Sequence, residues 1–109
     1  MFRGAGLSLQ INMGRLPIFP MASRLAEAGV STGAAKRNWE SYGGAIDLPE
    51  RLNDWRRNLL CDPQTSGGLL IACAPDAEAQ LLGLLNLRGF HHACTVGTFS
   101  SGPPRLKIM

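Results

Sequence analysis

The sequence predicts an α+β fold, a layered sandwich in which helices pack on a mixed β-sheet. Three observations predict it: a strand of period two near the N-terminus, helical spacing of apolar residues between positions 20 and 60, and strand patterning on both sides of a last helix after position 68. Strands and helices do not alternate strictly, so a doubly wound parallel sheet is not indicated. With 109 residues, 45% of them hydrophobic, the chain can bury one modest core, and residues 1–109 read as a single domain.

Taken in order, Phe2-Arg3-Gly4-Ala5-Gly6 reads as the last turn of a helix with its glycine exit. Leu7-Ser8-Leu9-Gln10-Ile11 alternates apolar and polar residues as a half-buried strand does, and Asn12-Met13-Gly14 closes it. Pro17 and Pro20 bracket an extended link. Met21, Leu25 and Ala28 then recur at helical spacing until Gly29 stops them. Thr32-Gly33 caps a second short helix through Ser41, ended by Gly43-Gly44. A clearer helix follows, with Asp47 as its cap, Pro49 in the first turn, Glu50 in capping-box position, and Leu48, Leu52, Trp55 and Leu59 on one face. On this reading Trp55 anchors the core and Arg56-Arg57 form a solvated flank.

Beyond the loop from Cys61 to Gly68, Leu69-Leu70-Ile71-Ala72-Cys73-Ala74 is a continuous apolar run, as in a central strand covered on both faces. Pro75-Asp76 opens a helix with Leu81, Leu84 and Leu85 on its buried side and Arg88-Gly89 at its end. Residues 93–99 and 105–108 read as two strands of a terminal hairpin joined by Ser100-Ser101-Gly102-Pro103-Pro104. No segment repeats another and no low-complexity stretch divides the chain.

Composition narrows the function classes. The three cysteines, Cys61, Cys73 and Cys94, are odd in number and never form C-x-x-C, which points to reduced thiols and away from a disulfide framework or zinc site. Cys73 and Cys94 stand in apolar runs as small hydrophobes. The net charge of +3 comes from scattered basic residues without interleaved aromatics, a pattern that weighs against nucleic-acid binding. No apolar run reaches bilayer length and Met1–Gly6 lacks a secretion pattern, so a soluble cytoplasmic protein without a membrane partner is expected. His91 and His92, being adjacent, cannot easily share one metal, and no metal ligands or Ser-His-Asp set are assigned.

The loop Asp62-Pro63-Gln64-Thr65-Ser66-Gly67-Gly68 concentrates polar chemistry. Gly67 and Gly68 permit positive φ and close approach, so their N–H groups can converge with the Thr65 and Ser66 hydroxyls on an anion. Asp62 can orient such a constellation, and Gln64 adds an amide. A tight helix-to-strand turn uses the same letters without any ligand, and the loop has neither a P-loop lysine nor a G-x-G-x-x-G spacing, so both readings stand.

The string from Asp62 through Gly68 to Leu69-Leu70 closely resembles the signature of selenophosphate synthetases. A second stretch, Gly29 through Thr32-Gly33 and Arg37-Asn38 to Tyr42-Gly43, is similar to the family segment that precedes it. The resemblance runs over nearly the whole chain and implies the family's C-terminal domain, with the α+β fold shared with aminoimidazole ribonucleotide synthetase. It further implies an N-terminally truncated domain. The ATP-binding catalytic domain, with its nucleophile, essential lysine and magnesium-binding aspartates, has no counterpart here, nor does the Asp-Val-Thr-Gly-Phe-Gly type segment.

For the full-length enzyme the resemblance implies ATP and magnesium, used to make selenophosphate for selenocysteine and selenouridine synthesis. For this chain it implies no catalytic residue of its own, a candidate active-site loop at Asp62–Gly68, and a catalytic N-terminal domain or full-length homologue as partner. Inactivity alone is the expectation, because phosphoryl transfer depends on positioning and electrostatics that the ATP cradle supplies. The alternative is a stand-alone phosphate- or nucleotide-binding or interaction module. Apolar surface left by missing elements allows a homodimer.

Overall fold

The alternation at the N-terminus produces the strand it predicts. In a computed structural model, which describes all residues 1–109, β1 runs Ser8–Ile11, preceded by the single helical turn α1, Phe2–Ala5. Gly6 ends that turn in the left-handed region at φ 66°, where glycine carries no Cβ penalty. The chain then turns through Met13–Arg15, with the Asn12 side chain accepting from the Gly14 N–H at 2.9 Å.

Helix α2, Pro20–Glu27, starts on its proline and ends before Gly29, whose φ is 91°. Helix α3, Gly33–Tyr42, is capped by Thr32, whose hydroxyl accepts from the Ala35 N–H at 3.2 Å. A short 3-10 turn over Gly43–Ala45 leads into β2, Ile46–Asp47.

Here the structure corrects the sequence reading. Asp47 caps no helix: it lies in β2, and Arg105 grips its carboxylate, with Nε 3.1 and 2.9 Å from the two oxygens and Nη2 on Oδ1 as well. With that carboxylate engaged, helix α4 begins seven residues later and spans Asp54–Leu60. Trp55 is half-buried on it, and α4 packs against α2 and α3.

The last helix forms as expected. A 3-10 turn at Pro75–Ala77 leads into α5, Glu78–Leu87, whose Leu81 and Leu85 are half-buried while Leu84 is exposed. The strands β3, Gly97–Ser100, and β4, Leu106–Ile108, also form, but they do not pair with each other. The sheet order is β2-β4-β1-β3, with β1 antiparallel to β3 and β4 parallel to both β1 and β2.

Two features disfavour the hairpin. Pro103 and Pro104 bring no N–H to the connection between β3 and β4, and pairing β4 with β1 sets Leu106 beside Leu9 and Ile108 beside Ile11. Leu9 and Ile108 are the buried residues of the sheet, and Ala26 and Ala35 those of the helices. The α+β class therefore holds, as a mixed four-stranded sheet with five helices.

The expected central strand at Leu69–Ala74 is absent. Residues 63–73 make no backbone-to-backbone hydrogen bond, and residues 67–76 are exposed throughout. A strand exists only against a partner. The sheet edges here are β2, with two residues, and β3, with four, and neither takes up this six-residue run.

Candidate functional site

The signature loop leaves α4 at Cys61 and is fastened at its first residue. The Thr32 hydroxyl donates to Asp62 Oδ1 at 2.8 Å while accepting from the Ala35 N–H. One hydroxyl thus caps α3 and holds the loop. One turn further along α3, Asn38 Nδ2 donates to the Cys61 carbonyl at 2.8 Å. Both bonds close helix α3 onto the end of α4, so the segments 29–43 and 61–62 form one joint.

Beneath this joint lies Arg57. Its guanidinium sits 5.4 Å from the Trp39 ring centroid and 3.3 Å from Asp54 Oδ1. Its Nε is buried without a hydrogen-bond partner. Arg57 is therefore not the solvated flank that its pairing with Arg56 suggested; Arg56 fits that description better, exposed and stacked on Trp55 at 5.1 Å. Burial pushes the Cys61 thiol up from its ordinary pKa, and the nearby Arg57 charge offsets part of that rise. A raised thiol is mostly protonated at neutral pH and is a poor nucleophile.

Past Asp62 the loop is exposed. Gln64 folds back over Gly67, such that a Cβ there would sit 2.9 Å from Gln64 Oε1 and 3.1 Å from Gln64 Cβ. Neither Gly67 nor Gly68 adopts positive φ; the glycines that do are Gly6, Gly29, Gly89 and Gly102. The backbone nest expected from the paired glycines is thus not formed, because close packing of Gln64, and not a left-handed turn, is what Gly67 accommodates. Thr65 and Ser66 form a turn and make no side-chain hydrogen bond.

The remaining candidates scatter. Cys73 and Cys94 are exposed, contrary to their reading as packed hydrophobes; Cys94 Sγ donates to the Arg15 carbonyl at 3.2 Å. His91 and His92 are exposed in a turn. No three His, Cys, Asp or Glu side chains gather in a set that could hold a metal ion. The donor set therefore does not fit a magnesium cage, and no step through magnesium is assigned to these residues.

What the geometry unites is the pair of stretches that looked alike to one family from sequence. No family model matches the chain. A selenide, water dikinase of Rhizobium meliloti (strain 1021) is 46% identical over 109 residues, which is 100% of this chain and 31% of that protein. One from Paraburkholderia xenovorans (strain LB400) is 46% identical over 107 residues, 98% of this chain and 30% of its own length. The chain resembles the C-terminal part of selenophosphate synthetase. A third such synthetase, from Pseudomonas straminea, is 44% identical over 106 residues, 97% of this chain and 30% of its length. The chain thus spans about 30% of the selenophosphate synthetases it matches. No helix is long and apolar enough to cross a membrane.

Sequence reasoning named Thr32 as a cap and Asp62 as a loop residue without linking them. A contact across thirty positions leaves no period in the sequence. Arg57 was missed outright, since an arginine beside an arginine carries no mark of which one turns inward.

Proposed function

We propose that residues 1–109 act as one C-terminal-type domain of a selenide, water dikinase, the enzyme that makes selenophosphate from selenide and ATP and releases AMP and orthophosphate. The observation that carries this reading is the 2.8 Å bond from Thr32 to Asp62, which joins the two stretches most like the family in a chain 46% identical to such a dikinase. ATP and magnesium belong, on this reading, to a catalytic portion outside these residues. The chain's own contribution is the Asp62, Gln64, Thr65, Ser66, Gly67, Gly68 loop, set beside that portion by the α3–α4 joint to shape or close the reacting site.

A stand-alone phosphate-binding module is the weaker reading. The N-terminus of α3 would be its natural anion site, yet Thr32 already brings the Asp62 carboxylate there, and a second anion would meet like charge.

The test is a chimera in which this chain replaces the matching 109 residues of the Rhizobium meliloti relative. The chimera should release AMP and orthophosphate from ATP only when selenide is present, and the isolated chain should release none. Replacing Asp62 by Ala in the chimera should lower that rate by about 10- to 100-fold through misplacement of the loop. A chimera that folds by circular dichroism yet stays inactive sinks the proposal.

A further inference from the structure

Arg57 stands where an apolar residue would be more stable. Its Nε–H is buried with no acceptor, a costly state for any donor. Its one ion pair reaches Asp54, whose side chain is 83% exposed, and a pair so open to water offsets little of that cost. A methionine would fill much of the same space with no unpaired donor. What Arg57 has and methionine lacks is a planar cation to set on the Trp39 ring, 5.4 Å from its centroid.

That ring is also confined by its own helix. A Cβ on Gly43 would lie 2.8 Å from two atoms of the Trp39 indole, so the glycine leaves the ring its place. Gly43 has φ −59°, which any residue adopts, and it is therefore the indole, not the backbone, that calls for glycine here. Trp39 and its neighbour Asn38 then hold α4 at two points one turn apart: Trp39 at the Arg57 guanidinium, Asn38 at the Cys61 carbonyl. Asp62, the first residue of the loop, follows directly.

We propose that Arg57 is a positioning residue for the Asp62–Gly68 loop, acting through Trp39: the stack fixes how the end of α4 seats on α3 and so where the loop departs. This role rests on the reading that the loop shapes the reacting site of a selenide, water dikinase. A destabilising group kept beside the loop is what a positional duty predicts. A misplaced loop slows turnover more than it weakens ATP binding, because ATP belongs on that reading to the catalytic portion.

Two readouts test it. In the isolated 109-residue chain, Arg57→Met should leave the urea midpoint unchanged or raised, yet speed amide exchange at Cys61 and Asp62 by about tenfold without affecting the sheet; these amides close the last turn of α4 onto the Arg57, Asn58 and Leu59 carbonyls. In the chimera with the Rhizobium meliloti relative, the same variant should lower kcat for AMP release by about tenfold and leave KM for ATP unchanged. Arg57→Lys, which returns a cation to the ring without the planar stack, should recover part of that loss. Gly43→Ala, which displaces the indole without touching Arg57, should copy Arg57→Met in exchange and in kcat, and the two changes together should lose no more than either alone.

Unchanged exchange at Cys61 and Asp62 in Arg57→Met overturns the proposal, whether or not the chimera is active. A lowered urea midpoint with a proportionate fall in kcat also overturns it, leaving Arg57 a purely structural residue. So does a double variant whose losses multiply, since Arg57 would then act independently of Trp39. An unmodified chimera that folds without activity counts against the dikinase reading alone, and the exchange measurement still decides whether Arg57 sets the loop.

Discussion

Thr32 concentrates two structural duties in one hydroxyl, and removing it should show both. Thr32→Ala should destabilise the chain by about 1 kcal/mol as a lost cap, with a further loss from freeing Asp62, while Thr32→Ser should retain nearly all stability; urea unfolding measures both. Asp47 gives a pH signature. Its hydrogen bonds from Arg105, together with that charge, hold its carboxyl below the ordinary aspartate range. A folded pKa below the unfolded one stabilises above about pH 4, and the benefit fades as pH falls through the lowered value. Asp47→Asn should therefore flatten the acid limb of stability against pH, followed by thermal melts between pH 2 and pH 6. For the thiols, iodoacetamide on dilute protein should label exposed Cys73 before Cys61, whose pKa burial has raised. At this scale the sequence was most legible where a residue's partner lies within a turn of it, as with Thr32 and Ala35. It was least legible where the partner is 58 positions away, as with Asp47 and Arg105.

Elements with their own stop signals were read well. Helices α2, α3 and α5 and strand β1 stand where proline, threonine, glycine and alternation set them. What failed was pairing. The terminal hairpin was inferred from nearness in sequence, and the structure instead inserts β1 between β3 and β4. One residue records how tight that insertion is: a Cβ on Gly97 would lie 2.0 Å from the Gln10 carbonyl oxygen, at the end of the β1–β3 ladder where Gly97 faces Ile11. Gly97→Ala must therefore push two backbones apart. A loss of about 2 kcal/mol or more is expected in chemical unfolding, with earlier exchange of the β1 and β3 amides. The Leu69–Ala74 error has the same origin. An apolar run announces that it needs cover, and says nothing of whether the cover is in the same chain.

For the whole molecule, the fold class was legible because it depends on element types and their order, which local patterning carries. Core depth was not. Four residues of 109 are buried, two on the sheet and two on the helices, and an apolar content of 45% gave no hint of so thin an interior. The candidate loop was legible as letters, while its attachment to α3 required the fold. The sheet order has a consequence for synthesis. Its interior strand β4, at 106–108, lies between β1, at 8–11, and β2, at 46–47. A ribosome stalled before residue 105 would hold a nascent chain whose early strands have a gap between them, their apolar edges open to chaperones until the last keystone emerges.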